Sequence, residues 1–189
     1  MSQGTFTPLS GVNYYHIENP KFVRNIYAGV PNIVNVLEHG TDETFDAGDI
    51  ILLTSGLADT YAADGVAIAG LALEDAIGSA TNVIPTQIIR STDEYLMNFY
   101  NATPGDAQAQ DIAIGATYGL VQATITYTKN DGSTFNRTAW VIDSAEATHV
   151  RVVITRIPDG YNATDVYPPV IVRFLNTDGI NFNILQLDP

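Results

Sequence analysis

The sequence contains no cysteine. Without cysteine the chain forms no disulfide, and it offers no thiolate for a zinc or iron–sulfur site and no thiol nucleophile. Its 189 residues are enough for one domain or two small ones, with a core that needs no covalent staple. We therefore expect packing alone to hold the fold.

Positive charge is scarce. Eight Lys and Arg residues stand against 21 Asp and Glu, a formal net charge of −13, and no Lys or Arg occurs between Arg24 and Arg90. A nucleic-acid or anionic-membrane surface requires a cationic face. We predict neither partner, and the uneven charge favours two modules with different surroundings.

Long apolar runs are also missing. The longest, over residues 66–73, is interrupted by Gly70 and falls far short of the ~20 residues that span a bilayer. The first eleven residues lack the basic and apolar regions of a secretory signal. We therefore expect a soluble, acidic globular protein.

Instead, short segments with a period of two recur along the chain. In residues 121–128 apolar and polar side chains alternate, and Asn130 to Ser133 then supply hairpin-turn chemistry. Trp140 falls in the returning strand and is expected in the core. The predicted strands are 50–53, 66–73 (with a bulge or bend at Gly70), 83–89, 95–100, 121–128, 134–142, 150–157 and 170–175.

Helical periodicity is nearly absent. Ser91 to Glu94 fit a capping box, but the residues that follow favour a strand, and 107–114 could form one short helix. Residues 101–106 form the best candidate linker. The pattern predicts an all-β protein of two small β-barrel or β-sandwich modules with an extended N-terminal arm: an arm and first strand over 1–34, an acidic module over 35–103 and a second module over 104–189.

The residue types of catalytic and metal sites are sparse. His16, His39 and His149 are isolated from one another, and no Gly-x-Ser-x-Gly elbow occurs. We predict no enzyme activity, no catalytic residue and no metal ligand. The carboxylates Asp42, Glu43, Asp46 and Asp49 are expected to be solvated surface charges, with a calcium site as the alternative.

The N-terminal segment, residues 1–20, has aromatic and aliphatic side chains but a single charged one, Glu18. Four Gly and Pro residues prevent a long regular element. We expect the segment to order against a partner. The alternative is that it pairs with its own fold as an edge strand.

Several segments, in order, resemble tailed-bacteriophage head decoration (capsid cement) proteins. They are 47–53 (AGDIILL), 65–76, 83–89, 114–121 (IGATYGLV), 140–143 (WVID), 149–153 (HVRVV) and 170–175 (VIVRFL). The resemblance spans roughly residues 40–176. The chain departs from the family in a polar insertion at 159–168 and in its tail, 176–189.

The resemblance implies a structural virion protein on the outer surface of the capsid, where it stabilises contacts between major capsid subunits, without catalysis or a cofactor. The implied partners are the major capsid protein and further copies of this chain, with a trimer favoured. The residues assigned to the capsid contact are Phe6, Tyr14, Tyr15, Ile17, Lys21 and Arg24.

Two other hypotheses compete with this one. A head-fibre or adhesin-type β-module would bind a receptor or glycan, with Tyr161 and Tyr167 suited to stacking on sugar rings. A carboxylate-based hydrolase would need two carboxyl groups converging in a cleft.

Overall fold

The computed structural model describes residues 4–5, 12–27, 29–40, 43–62, 68–129 and 131–175. Of these residues, 48% lie in strands and 4% in helices. The all-β prediction is therefore confirmed. The helices of the described residues are too short for a membrane span.

Twelve strands and two 3-10 helices make up the described secondary structure. The strands are β1 (Gly4–Thr5), β2 (Lys21–Asn25), β3 (Asn32–Leu37), β4 (Ile50–Thr54), β5 (Leu57–Thr60), β6 (Gly70–Ala72), β7 (Val83–Ile88), β8 (Asp93–Tyr100), β9 (Thr117–Thr128), β10 (Thr134–Asp143), β11 (Val152–Arg156) and β12 (Pro169–Phe174). The helices are Pro104–Asp106, in the second half of the predicted linker, and Ala109–Asp111, within the predicted short helix.

The chain divides into two compact units. The first comprises Met1–Asn19 and Leu96–Arg173, and the second comprises Pro20–Tyr95 and Phe174–Pro189. The chain passes between the units inside β8 and β12, whereas the sequence placed the boundary between residues 103 and 104. Residues 12–19, predicted as part of an arm, group with residues 96–173.

The first unit is built around the β9–β10 hairpin. These strands pair antiparallel from Thr134↔Thr128 to Asp143↔Gly119, within a sheet of order β1-β9-β10-β8-β12-β11. Ala123, Ile125 and Tyr127 are buried on one face of β9, as the alternation predicts, and Trp140 is 3% exposed in the core. In the turn, Ser133 donates its backbone N–H to the Asp131 carboxylate.

The second unit contains a closed five-stranded barrel of order β3-β7-β6-β4-β5. β3 and β7 pair antiparallel over six residue pairs, from Asn32↔Ile88 to Leu37↔Val83. A parallel bridge between Glu38 and Ala58 joins the end of β3 to β5 and closes the barrel. Its core cluster consists of Val36, Phe45, Ile51, Ala58, Ala72 and Ile84.

Gly70 lies at a close approach of two strands. It pairs with both Ile51 of β4 and Ile88 of β7. A Cβ atom at this position would lie 2.5 Å from the backbone oxygen of Gln87. The strand predicted over 66–73 is thus shorter, and residues 66–67 lie outside the described part of the chain.

Candidate functional site

Ile17, assigned to the capsid contact, lies instead in the core of the first unit. Its side chain is completely buried, and its backbone N–H donates to the Tyr127 hydroxyl at 3.0 Å. Nearby, Tyr15 N–H donates to the Val166 carbonyl and Val166 N–H to the Asn13 carbonyl. The prediction of a partner contact for Ile17 is corrected: residues 12–19 add to their own fold, because an aliphatic side chain is stabilised where it loses water contact.

Tyr14 and Tyr15 are also part of this packing. Tyr14 forms a parallel bridge with Val166, and both tyrosines are half-buried. The Tyr15 hydroxyl donates to the buried Asp165 carboxylate at 3.4 Å. Burial, then the charge and hydrogen bond of Asp165, raise the pKa of Tyr15. Part of the surface of each tyrosine is therefore covered by its own fold and is not available to a partner.

Lys21 and Arg24, in contrast, lie exposed on β2. The Arg24 side chain is 58% exposed, and its Nε lies 2.8 Å from Oε2 of Glu94, whose side chain is 7% exposed. Both residues can be reached by a partner. Phe6, the remaining assigned contact, lies outside the described residues.

The tyrosines proposed for glycan stacking are engaged in the first unit. Tyr167 is 3% exposed and stacks on Tyr100, with ring centroids 5.5 Å apart. Burial raises the pKa of Tyr167 above its ordinary value. Tyr161 is half-buried, with its ring edge-to-face against Tyr15 at 5.1 Å. Tyr167 is therefore too buried to stack on a sugar ring, and Tyr161 is partly covered by Tyr15.

The outer face of the barrel carries apolar side chains where a barrel normally meets water. Ile33, Leu37 and Val83 are 56%, 44% and 45% exposed. Leu37 is directly opposite Val83, and the outward-facing Asn35 is opposite Pro85. We call the set Ile33, Leu37, Val83 and Pro85 the β3–β7 apolar face. Because alternate residues of a strand share a face, Leu37, Val83 and Pro85 adjoin one another. Asn35 separates Leu37 from Ile33 along β3, and Gln87 is opposite Ile33.

Glu38 fixes the loop beside this face. Its fully buried carboxylate accepts hydrogen bonds from the backbone N–H groups of Ile77 and Ser79 and from Asn82 Nδ2. Burial alone would raise the pKa of Glu38, but the hydrogen bonds from Asn82 and from the loop backbone outweigh it, so the pKa is lowered. Ile77, 70% exposed, is thereby held by the residue that follows Leu37.

A second feature lies at the closure of the barrel. His39 Nδ1 is 3.5 Å from Glu43 Oε1 and 3.9 Å from Asp59 Oδ2. Potential ligand atoms of the three residues all lie within 4.8 Å of one another, a cluster that could hold a metal ion. In the sequence the histidines were compared only with one another, so Glu43 and Asp59 were not brought together with His39.

Two of the four carboxylates expected to be solvated are not. Asp49 is 6% exposed and accepts the backbone N–H of Asp46 at 3.1 Å. The Glu43 side chain is 7% exposed and accepts both the N–H and the hydroxyl of Thr60 at 2.7 Å. Asp46 is exposed as expected, and Asp42 lies outside the described residues. Hydrogen bonds to Asp46 and Thr60 therefore hold the side chains of Asp49 and Glu43.

Sequence reasoning missed both the apolar face and the His39 cluster. β3 carries apolar residues on both faces, so it lacks the alternation that marks a strand. The four-residue spacing of His39 and Glu43 was visible, but Asp59 reaches them only through barrel closure.

The chain was compared with protein-family models, curated proteins and solved structures, and none of the three comparisons found a match. The resemblance to decoration proteins therefore depends on the segments quoted above.

Proposed function

We propose that this protein is a structural virion component that binds the outside of an assembled tailed-bacteriophage head and stabilises contacts between major capsid subunits. The observation that carries the proposal is the β3–β7 apolar face, an exposed hydrophobic surface on a closed barrel. Surfaces of this kind mark interaction sites. The order of sequence segments that resemble decoration proteins supplies the class of partner.

The charge around the face supports a shell partner with a cationic rim. The barrel strands lie wholly within the stretch between Arg24 and Arg90, which has no Lys or Arg. Exposed Glu74 and Asp75 follow Leu73, itself 38% exposed. Such a surface favours solubility of the free protein and steers it toward positive charge.

The size of the face favours several simultaneous contacts. Three half-exposed aliphatic side chains offer on the order of 200 Å² of apolar surface, or about 5 kcal/mol on burial. Association costs of about 4–15 kcal/mol offset that gain, so one copy alone binds weakly. A homo-oligomer, with a trimer favoured, would engage several capsid subunits and multiply weak contacts through effective concentration.

Binding to expanded shells assembled from the major capsid protein of the same phage tests the proposal, with occupancy measured by co-sedimentation and by image reconstruction. The variant Leu37→Asp/Val83→Asp should remain folded and lose most of its occupancy. Ile114→Asp is the matched control, because Ile114 is 64% exposed on the other unit. It should bind as the unaltered chain does.

Equal occupancy by the double variant would remove the β3–β7 apolar face from the interface. Binding to immobilised glycans, with none to shells, would favour the adhesin alternative.

A further inference from the structure

We propose that His39, Glu43 and Asp59 form a binding site for a divalent transition cation, Zn²⁺ in the first place, at the closure of the barrel. The proposal is independent of shell binding, since none of the three residues belongs to the β3–β7 apolar face. Nitrogen from imidazole and oxygen from carboxylates are ordinary zinc ligands.

The spacing of the three side chains fits one small ion. Zinc–ligand bonds of about 2.0–2.2 Å place neighbouring ligand atoms of a tetrahedral site about 3.4 Å apart. His39 Nδ1 lies 3.5 Å from Glu43 Oε1 and 3.9 Å from Asp59 Oδ2. Small side-chain movements would bring all three onto a common centre, and water would complete the coordination.

Neighbouring threonines already orient the carboxylates. Thr60 holds Glu43 Oε2 through its N–H and its hydroxyl, which leaves Oε1 directed toward His39. The Thr54 hydroxyl donates to Asp59 Oδ2 at 2.6 Å. Hydrogen bonds of this kind fix ligand orientation and are a regular part of metal sites.

Glu43 independently indicates a need for positive charge. Its side chain is 7% exposed, and in the described part of the chain its ion-pair partner is His39. The two hydrogen bonds from Thr60 stabilise this carboxylate, and a bound cation would stabilise it further. No Lys or Arg occurs between Arg24 and Arg90, so no such side chain of this stretch supplies that charge, which favours a bound metal ion.

The donor set selects among metals. Ca²⁺ and Mg²⁺ prefer oxygen ligands alone, in larger number than this cluster supplies. An imidazole nitrogen favours Zn²⁺ and its neighbours in the transition series. Of the four carboxylates considered for calcium, Glu43 alone belongs to this cluster.

A metal ion at this site would cross-link β3 and β5, which have little backbone pairing with each other. β3 and β5 are joined by the Glu38–Ala58 bridge and by the hydrogen bond from His39 N–H to the Ala58 carbonyl, whereas β3 and β7 share six residue pairs. A metal bound to His39 and Asp59 would link the end of β3 to β5. Because it binds only the folded barrel, it would stabilise the barrel.

Titration of the chelator-treated full chain with ZnCl₂, by calorimetry and by thermal unfolding, tests the site. We expect one saturable Zn²⁺ per chain and a rise in Tm of about 5 °C or more at a hundredfold excess over Kd. His39→Ala and Asp59→Asn should each weaken binding by more than about tenfold. CaCl₂ should produce no comparable shift.

His149→Ala is the matched control. His149 Nδ1 lies 3.6 Å from Glu146 Oε1, a histidine–carboxylate pair outside the three-residue cluster. This variant should bind Zn²⁺ as the unaltered chain does. The proposal is overturned if the unaltered chain shows no saturable Zn²⁺ binding, or if folded His39→Ala and Asp59→Asn bind Zn²⁺ with unchanged affinity.

Discussion

Asn82 donates a side-chain hydrogen bond to the carboxylate of Glu38 at 2.9 Å, across 44 residues of sequence. The same carboxylate accepts two backbone N–H groups of the loop that carries Ile77. One buried acid thus positions the loop beside the β3–β7 apolar face.

Replacing this acid should destabilise the barrel in a pH-dependent way. The pKa of Glu38 in the folded protein is lowered from 4.5, so folding favours the ionised carboxylate. This contribution to stability is complete above the pKa of Glu38 in the unfolded chain. It is lost as the pH falls through the pKa of Glu38 in the folded protein. Glu38→Gln should lower the free energy of unfolding by about 2–4 kcal/mol at pH 7. The NH2 group of glutamine is a donor, and it would face N–H donors of the loop that now bind a carboxylate oxygen.

Urea unfolding at pH 7 and at pH 3 measures both effects. The difference in the free energy of unfolding between the unaltered chain and Glu38→Gln should be smaller at pH 3 than at pH 7. Exposed Glu74→Gln serves as the control and should change stability by less than about 0.5 kcal/mol. An equal loss from both variants would show that the hydrogen bonds of Glu38 do not hold the loop.

Ile17→Ala should destabilise the first unit by about 2–5 kcal/mol, because it removes a completely buried side chain and leaves a cavity. Denaturant unfolding measures the loss. Ile114→Ala, at a 64% exposed position of the same unit, should cost under about 0.5 kcal/mol. If Ile17→Ala unfolds at the same denaturant concentration as the unaltered chain, residues 12–19 detach from the fold and the arm hypothesis returns.

Gly70→Ala should destabilise the barrel by about 1–3 kcal/mol. The added Cβ would meet the Gln87 backbone oxygen at 2.5 Å, and a strand backbone cannot move aside without losing its pairing. Gly105→Ala is the matched control, since its Cβ would have no heavy atom within 4 Å. Circular dichroism during thermal unfolding distinguishes the two: a Tm unchanged in Gly70→Ala would contradict the close approach of β6 and β7.

The sequence by itself determined the features that depend on neighbouring residues. The alternation of β9, the turn chemistry at Asp131–Ser133 and the apolar run of β12 predict strands, because a strand with one buried face repeats every two residues and a turn is local. The lack of Lys and Arg on the barrel is likewise a property of the sequence.

Only the tertiary structure decided what lies against what. Ile17 is a core residue, and its N–H donates to the hydroxyl of Tyr127, 110 residues away. Leu37 and Val83 become one surface through the register of β3 and β7, which no pattern within either strand encodes. His39 meets Asp59 because the barrel closes at Ala58. Each outcome depends on long-range pairing, whose free energy is set by the whole packed unit and not by the local chain.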